Sequence, residues 1–246
     1  MANQNDVQSW GSIAQWVSAG ATLSAVAVAL FKDEFFRWRR RPLLGVSIKP
    51  GPPDCSKTIL SYQVQRVAMT FVRAEYYSIR LWIANDGRSR AEQVQVFVSQ
   101  LLKQSADGSY RKVDSFLPMN LRWSHGTDPH GVPEIFADGI SPGMGKHCDF
   151  GHVVALSSQA DLNEVVGESP DGRTVFALDL EIIPTSKTHL IPPGKYKLEL
   201  RVAGSNTRAS SWTVNLNLTG EWHDTADKMF TDGIGVSVAA SKNGIS

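Results

Sequence analysis

In several separate runs of this chain apolar and polar residues alternate with period two, and that alternation limits the fold more than any other feature. Leu44, Val46 and Ile48 alternate with small or polar neighbours. Tyr77, Ile79, Leu81 and Ile83 alternate with Tyr76, Ser78, Arg80 and Trp82, and Val94, Val96 and Val98 with Gln93, Gln95 and Phe97. Further on, Phe176, Leu178, Leu180 and Ile182 form one face, and Tyr196, Leu198, Leu200 and Val202 oppose Lys197, Glu199 and Arg201. Trp212, Val214, Leu216 and Leu218 do the same against Thr213, Asn215 and Asn217, and a run around Val67–Val72 reads as a further strand. Successive side chains of a strand point to opposite faces, so these runs predict half-buried antiparallel strands. Asp86-Gly87, Asp107-Gly108, Pro142-Gly143, Asp171-Gly172, Pro193-Gly194 and Ala203-Gly204 supply turns between them. No ten-residue amphipathic helix separates the strands, which argues against a parallel α/β sheet. About seven to nine short strands with polar turns predict an antiparallel β-sandwich, here over 43–220.

The N-terminal part follows another rule. No charged residue occurs from Val7 to Phe31, and 15 of the 22 residues in Trp10–Phe31 are Ala, Val, Ile, Leu, Phe or Trp. As a helix this segment is about 33 Å long, against a hydrocarbon core of about 30 Å. The expectation is a transmembrane helix at 10–31 after a short tail at 1–9, although Gly11, Ser12, Gln15, Ser18, Gly20, Thr22 and Ser24 dilute it. Lys32, Arg37, Arg39, Arg40 and Arg41 follow, interleaved with Phe35, Phe36 and Trp38. Basic residues stay on the cytoplasmic side, so the segment 32–42 is expected at the inner face of the plasma membrane. Phe35, Phe36, Arg37, Trp38, Arg39, Arg40 and Arg41 form the interfacial belt, with the N-terminus outside and the β domain in the cytoplasm. Gly20, Ala21, Ser24, Ala25 and Ala29 place small residues on one side of the helix, the pattern of a helix–helix contact and of a homo-oligomer. Pro42 ends the helix.

Two segments carry a resemblance. Trp82-Ile83-Ala84-Asn85-Asp86-Gly87, then Ala91 and Val94-Gln95-Val96, resembles the hairpin of immunoglobulin-like adhesion and transport modules, a strand, an Asn-x-Gly turn, Ala and a second strand. Ile191-Pro192-Pro193-Gly194-Lys195-Tyr196 is similar to the late hairpin of the same folds. The whole chain resembles bacterial proteins with one N-terminal span and a cytosolic β domain. The resemblance implies an immunoglobulin-like β-sandwich behind a membrane helix and carries over no functional residue.

Charge and cysteine content narrow the partners. With 25 basic and 24 acidic residues the net charge is +1, which gives no electrostatic case for nucleic acid. Cys55 and Cys148 are expected as free thiols in a reducing compartment; a bridge between them would favour an exported sandwich instead.

The candidate chemistry is thin. His147, Cys148, Asp149 and His152 are metal-ligand types in one stretch, with His125 and His130 upstream. As a strand, however, the stretch alternates faces, sending Cys148 and Phe150 inward and the polar residues outward, and it lacks the usual Cys-x2-Cys or His-x3-His spacing. No nucleophile elbow, phosphate loop or His-Glu-x-x-His pattern occurs. The segment Phe116–Gly145 reads as a long loop that either carries recognition or packs over the end of the sandwich. The tail 221–246 is expected to hold one short helix to Phe230 and then to be mobile. The functional expectation is a non-catalytic module without cofactor or metal, tethered to the lipid bilayer and binding a protein or other ligand. The alternative is a metal-dependent or hydrolytic domain built on the His147–His152 cluster.

Overall fold

The computed structural model describes residues 15–32, 41–65, 69–126, 134–160, 162–165 and 172–240. Two compact units, Met1–Arg41 and Pro42–Ser246, divide the chain. Of the first, residues 15–32 form a helix, α1, whose residues are all exposed. Among the described residues no helix is long and apolar enough to cross a membrane. The expected span at Trp10–Phe31 is therefore not met. The described helix is 18 residues long, about 27 Å, with Gln15 and Lys32 at its ends and Ser18, Thr22 and Ser24 within. Thr22 turns its hydroxyl back to the Ser18 carbonyl at 2.9 Å, which satisfies it inside the helix. The stretch Phe35–Arg40 lies outside the described residues.

The second unit is mainly β. Its first strands are β1 (Leu44–Ser47), β2 (Cys55–Gln65), β3 (Met69–Asn85), β4 (Ala91–Gln104), β5 (Tyr110–Lys112), β6 (Met119–Asn120) and β7 (Ala137–Ile140). After them come β8 (Gly145–Val154), a short helix α2 (Leu156–Gln159), β9 (Phe176–Leu178), β10 (Leu190–Ile191), β11 (Gly194–Gly204) and β12 (Thr207–Leu218). Helix α3 (Ala226–Lys228), a π-helical turn (Met229–Gly233) and β13 (Ile234–Ala240) end the described chain. One sheet runs β1-β3-β8-β9-β10, with β2 also on β3. The other runs β13-β12-β11-β4-β5, with β6 and β7 also on β4. All pairings between these strands are antiparallel, and the two sheets pack as a sandwich around one apolar core.

The alternating residues fill that core as their period requires. Tyr77, Ile79, Leu81 and Ile83 of β3, Val94, Val96 and Val98 of β4, and Leu198, Leu200 and Val202 of β11 are fully buried. The run Phe176–Ile182 behaves differently. The strand ends at Leu178, Leu180 makes an isolated bridge to Leu121, and Ile182 stands 64% exposed. The described part of Phe116–Gly145 packs: Phe116, Leu121 and Trp123 are buried, and the Trp123 indole donates to the Ile135 carbonyl at 2.8 Å. The stretch after Phe230, expected to be mobile, instead supplies β13, which pairs with β12 from Ile234↔Leu218 to Ala240↔Trp212. Trp222 seats it on the core, 4.9 Å from the Tyr77 ring, and Tyr77 donates to the His223 carbonyl at 2.6 Å.

Asn85, at the end of β3, joins four segments. Its Oδ1 accepts from the Leu43 N–H (3.2 Å) and the Gly87 N–H (3.0 Å). Its Nδ2 donates to the carbonyls of Ser89 and Ile140, both at 2.8 Å. Every side-chain hydrogen-bonding position of this fully buried amide is used.

Candidate functional site

The unusual strand is β3, because two strands share one of its edges. β1 pairs with Trp82–Asn85 and β2 with Met69–Ile79, which leaves Arg80 and Leu81 without a neighbouring strand on that side among the described residues. The loop 48–54 that joins β1 to β2 fills the gap. Asp54 accepts the Arg80 N–H on its carbonyl at 2.8 Å and the Lys49 N–H on its Oδ2 at 2.8 Å, while Cys55 donates to the Gly51 carbonyl at 2.9 Å. Asp54 is thereby buried, and its Oδ1 reaches across β3 to His147 Nε2 at 2.9 Å.

Trp82 lies between these partners. The register sets Ser47, Trp82 and His147 side by side on β1, β3 and β8. The indole lies over Gly145, where a Cβ would stand 2.3 Å from Cε2 and Cζ2. Only a residue without a side chain lets the ring lie there. The ring also tilts at 59° against His147, with centroids 4.7 Å apart. Ser47, Lys49, Pro53, Asp54, Trp82 and His147 enclose an open cleft of about 310 Å³. Both oxygens of its one carboxylate are engaged. Among the described residues the Ser47 hydroxyl, the Lys49 ammonium and His147 Nδ1 make no hydrogen bond.

Serine, histidine and aspartate in one cleft have the composition of a hydrolytic triad but not its geometry. Adjacent antiparallel partners stand about 4.5–5.5 Å apart at Cα, so Ser47 and His147 are about 10 Å apart with Trp82 between them. The nucleophile–base contact that such chemistry needs is about 2.6–3.2 Å.

Further along the same face lies a charge network. Arg80 Nε is 3.2 Å from Asp149 Oδ1, Arg122 Nε 3.7 Å from Asp149 Oδ2, and Arg122 Nη2 2.6 Å from Asp179 Oδ1. Ser124 donates to Asp149 at 2.5 Å. His152 sits between Asp179 (3.2 Å from Nδ1) and Glu164 (3.0 Å from Nε2). Burial alone would depress the His152 pKa, but the Asp179 charge and the bonds to both carboxylates push it up to about 10. Burial works the other way on Asp179, and the His152 and arginine charges overcome it and hold the carboxyl below its usual range. Three cations (Arg80, Arg122, His152) thus face three carboxylates (Asp149, Asp179, Glu164). The network neutralises itself and offers a ligand no net charge.

The four residues singled out as metal ligands are parted by this arrangement. His147 goes to Asp54, Asp149 to Arg80 and Ser124, and His152 to Asp179 and Glu164. Cys148 points into the core, its thiol 3.3 Å from the Arg122 carbonyl and pushed well above its ordinary pKa by burial. Among the described residues no three His, Cys, Asp or Glu side chains gather so as to hold a metal ion. Cys55 pairs with Ile79 and Cys148 with Leu81, on opposite edges of β3. Strands two apart are separated by about 9.5 Å, beyond disulfide reach, and both thiols are free. Of the helix residues, Gly20, Ala21, Ser24, Ala25 and Ala29 are all exposed on α1.

Asp54, Trp82, Lys49 and Ser47 carried no sequence signal of function. Asp54 and His147 are 93 residues apart, and only the shared edge of β3 brings them together. A second hollow, of about 330 Å³, lies on the other sheet over Gly235, between Lys195, Asn217 and Ser237. No known family, curated protein or solved structure matches the chain.

Proposed function

We propose that this chain is a non-catalytic binding module, in which an immunoglobulin-like sandwich presents the Trp82 cleft to a ligand and the apolar N-terminal helix attaches the module to the inner face of a bacterial membrane. The observation that carries the binding reading is the cleft itself: an aromatic ring fixed over Gly145 beside polar groups that have no partner among the described residues, at the edge where β1 gives way to β2. Binding sites combine such an apolar wall with a few placed polar groups. The membrane attachment draws on the exposed apolar side chains of α1, among them Trp16 (78%) and Leu23 (71%), and on the charge-free stretch before Lys32. Self-association of α1 through Gly20, Ala21, Ser24, Ala25 and Ala29 belongs to the same proposal, as does a cytoplasmic sandwich.

A photo-crosslinking amino acid placed in the full-length chain at Ser47 should capture a ligand or partner in native membranes, and the same probe at Lys195, on the other sheet, should not. Equal capture at both positions, or none at Ser47, would sink the reading. The attachment is tested separately. The full-length chain should resist carbonate extraction, and a chain beginning at Leu43 should not sediment with membranes; full extraction of the former removes the anchor.

A further inference from the structure

We propose that the Trp82 cleft is a subsite for one pyranose ring of a neutral carbohydrate, a ligand class that rests on the binding-module reading and makes it specific. The aromatic wall comes first. Gly145 beneath and His147 beside it hold the Trp82 ring in one orientation, so no ordering is left to be done when a flat C–H face stacks on it. The C–H face of a pyranose offers such a surface while its edge carries hydroxyls.

The polar groups then discriminate between ligand classes. An amine or metal cation would need a carboxylate, but Asp54 spends Oδ1 on His147 and Oδ2 on the Lys49 N–H. A phosphate or carboxylate would find one ammonium, Lys49, in the same small cleft as the buried Asp54 charge. A purely apolar ligand would strip water from Lys49 and Ser47 and return no hydrogen bond. The Lys49 ammonium donates, the Ser47 hydroxyl both donates and accepts, and His147 Nδ1 takes the role that its tautomer leaves. Hydroxyl groups donate and accept as well, so a polyhydroxylated neutral ring matches all three.

Size agrees. The cleft, about 310 Å³, is at the small end of the range for ligand sites, about 300–1,000 Å³. Ser47, Lys49 and Pro53 at its rim are exposed. One ring fits inside, and the remainder of a longer glycan leaves through the open side.

The test uses the full-length chain in a sugar-free zwitterionic detergent. Saturation-transfer NMR is run with maltose, cellobiose, chitobiose and mannobiose, and with glucuronate, inorganic phosphate and benzoate as comparators. At least one neutral disaccharide should receive saturation, strongest at its ring C–H protons. Trp82→Ala should weaken that binding about tenfold or more, as loss of a stacking ring does, and Trp82→Phe should restore most of it. Lys49→Ala, at an exposed position, should weaken it about threefold or more with the thermal melt unchanged, which guards against a misfolded Trp82 variant. Binding of no neutral disaccharide, tighter binding of a comparator, or binding indifferent to Lys49→Ala and Trp82→Ala would each overturn the carbohydrate subsite. A protein captured from Ser47 alongside such a result would leave the binding module standing with another ligand. No capture and no sugar would remove both.

Discussion

Removing the Asn85 side chain shows what a buried amide is worth at the joint of four segments. In Asn85→Ala the Ile140 carbonyl loses its donor in a buried place, a loss of about 1–3 kcal/mol. The Leu43 and Gly87 N–H groups and the Ser89 carbonyl are only partly buried, so water recovers some of each bond and about 0.5–1.5 kcal/mol apiece is lost. The total comes to about 2.5–7.5 kcal/mol, a large part of the roughly 5–15 kcal/mol by which a domain is stable. Asn206 provides the control. It also holds two backbone groups, the Glu92 N–H at 3.0 Å and the Arg90 carbonyl at 2.9 Å, but in an exposed setting. Asn206→Ala should lose about 0.5–1 kcal/mol, because water replaces both bonds. Urea unfolding of the full-length chain, followed by circular dichroism, measures the two side by side. If Asn85→Ala falls within about 1 kcal/mol of the wild type, or loses no more than Asn206→Ala, burial is not what makes the Asn85 bonds strong.

Two further outcomes concern stability. Leu198→Ala should cost about 2–5 kcal/mol by urea titration, since Leu198 is fully buried, and Glu199→Ala under about 0.5 kcal/mol; equal losses would mean that the β11 faces are misassigned. The His152 pKa is raised from 6.5 to about 10, so its contribution is full below pH 6.5 and falls away as pH rises to about 10. The lowered Asp179 gives a contribution that is present above the ordinary carboxylate range and lost as pH falls through it. His152→Gln should flatten the alkaline decline in the unfolding midpoint, and a decline of unchanged steepness would assign it to other groups.

The alternation of Tyr77–Ile83, Val94–Val98 and Tyr196–Val202 was enough to read both the strands and the buried faces, because period two is a local property of the backbone. His152 lies on the outer face expected of the polar residues, but not by simple alternation. Simple alternation from His147 and Asp149 would put residue 151 on the outer face. A register shift in β8, where Ile79 pairs with Gly151 and Arg80 with Asp149, returns His152 to that face instead. Gly151 permits this because a Cβ there would stand 2.4 Å from the Ala177 carbonyl oxygen. A bulge depends on the partner strand and leaves no periodic trace. The same holds for the cleft, since nothing near Asp54 in sequence indicates that Trp82 and His147 will be its neighbours. The C-terminal strand was missed for a different reason. Ile234–Ala240 is short and rich in Gly, Ser and Ala, and it becomes a strand by pairing with β12 and packing Ile234 into the core.

The pairing of β4 with β11 sets the order of events during synthesis. Their register joins Val96 to Val202 and Lys103 to Tyr196, roughly 100 residues apart along the chain, so β4 leaves the ribosome long before its partner. At about 5–20 residues per second the interval is on the order of 5–20 s, during which the edge of β4 that takes β11 stays unpaired, while β5, β6 and β7 on its other edge emerge sooner. The hairpin of β2 and β3 meets no such delay, because its strands are adjacent in sequence. Both sheets can therefore begin to form while one edge of β4 waits, and that edge is the place where a nascent-chain chaperone has the longest opportunity to act.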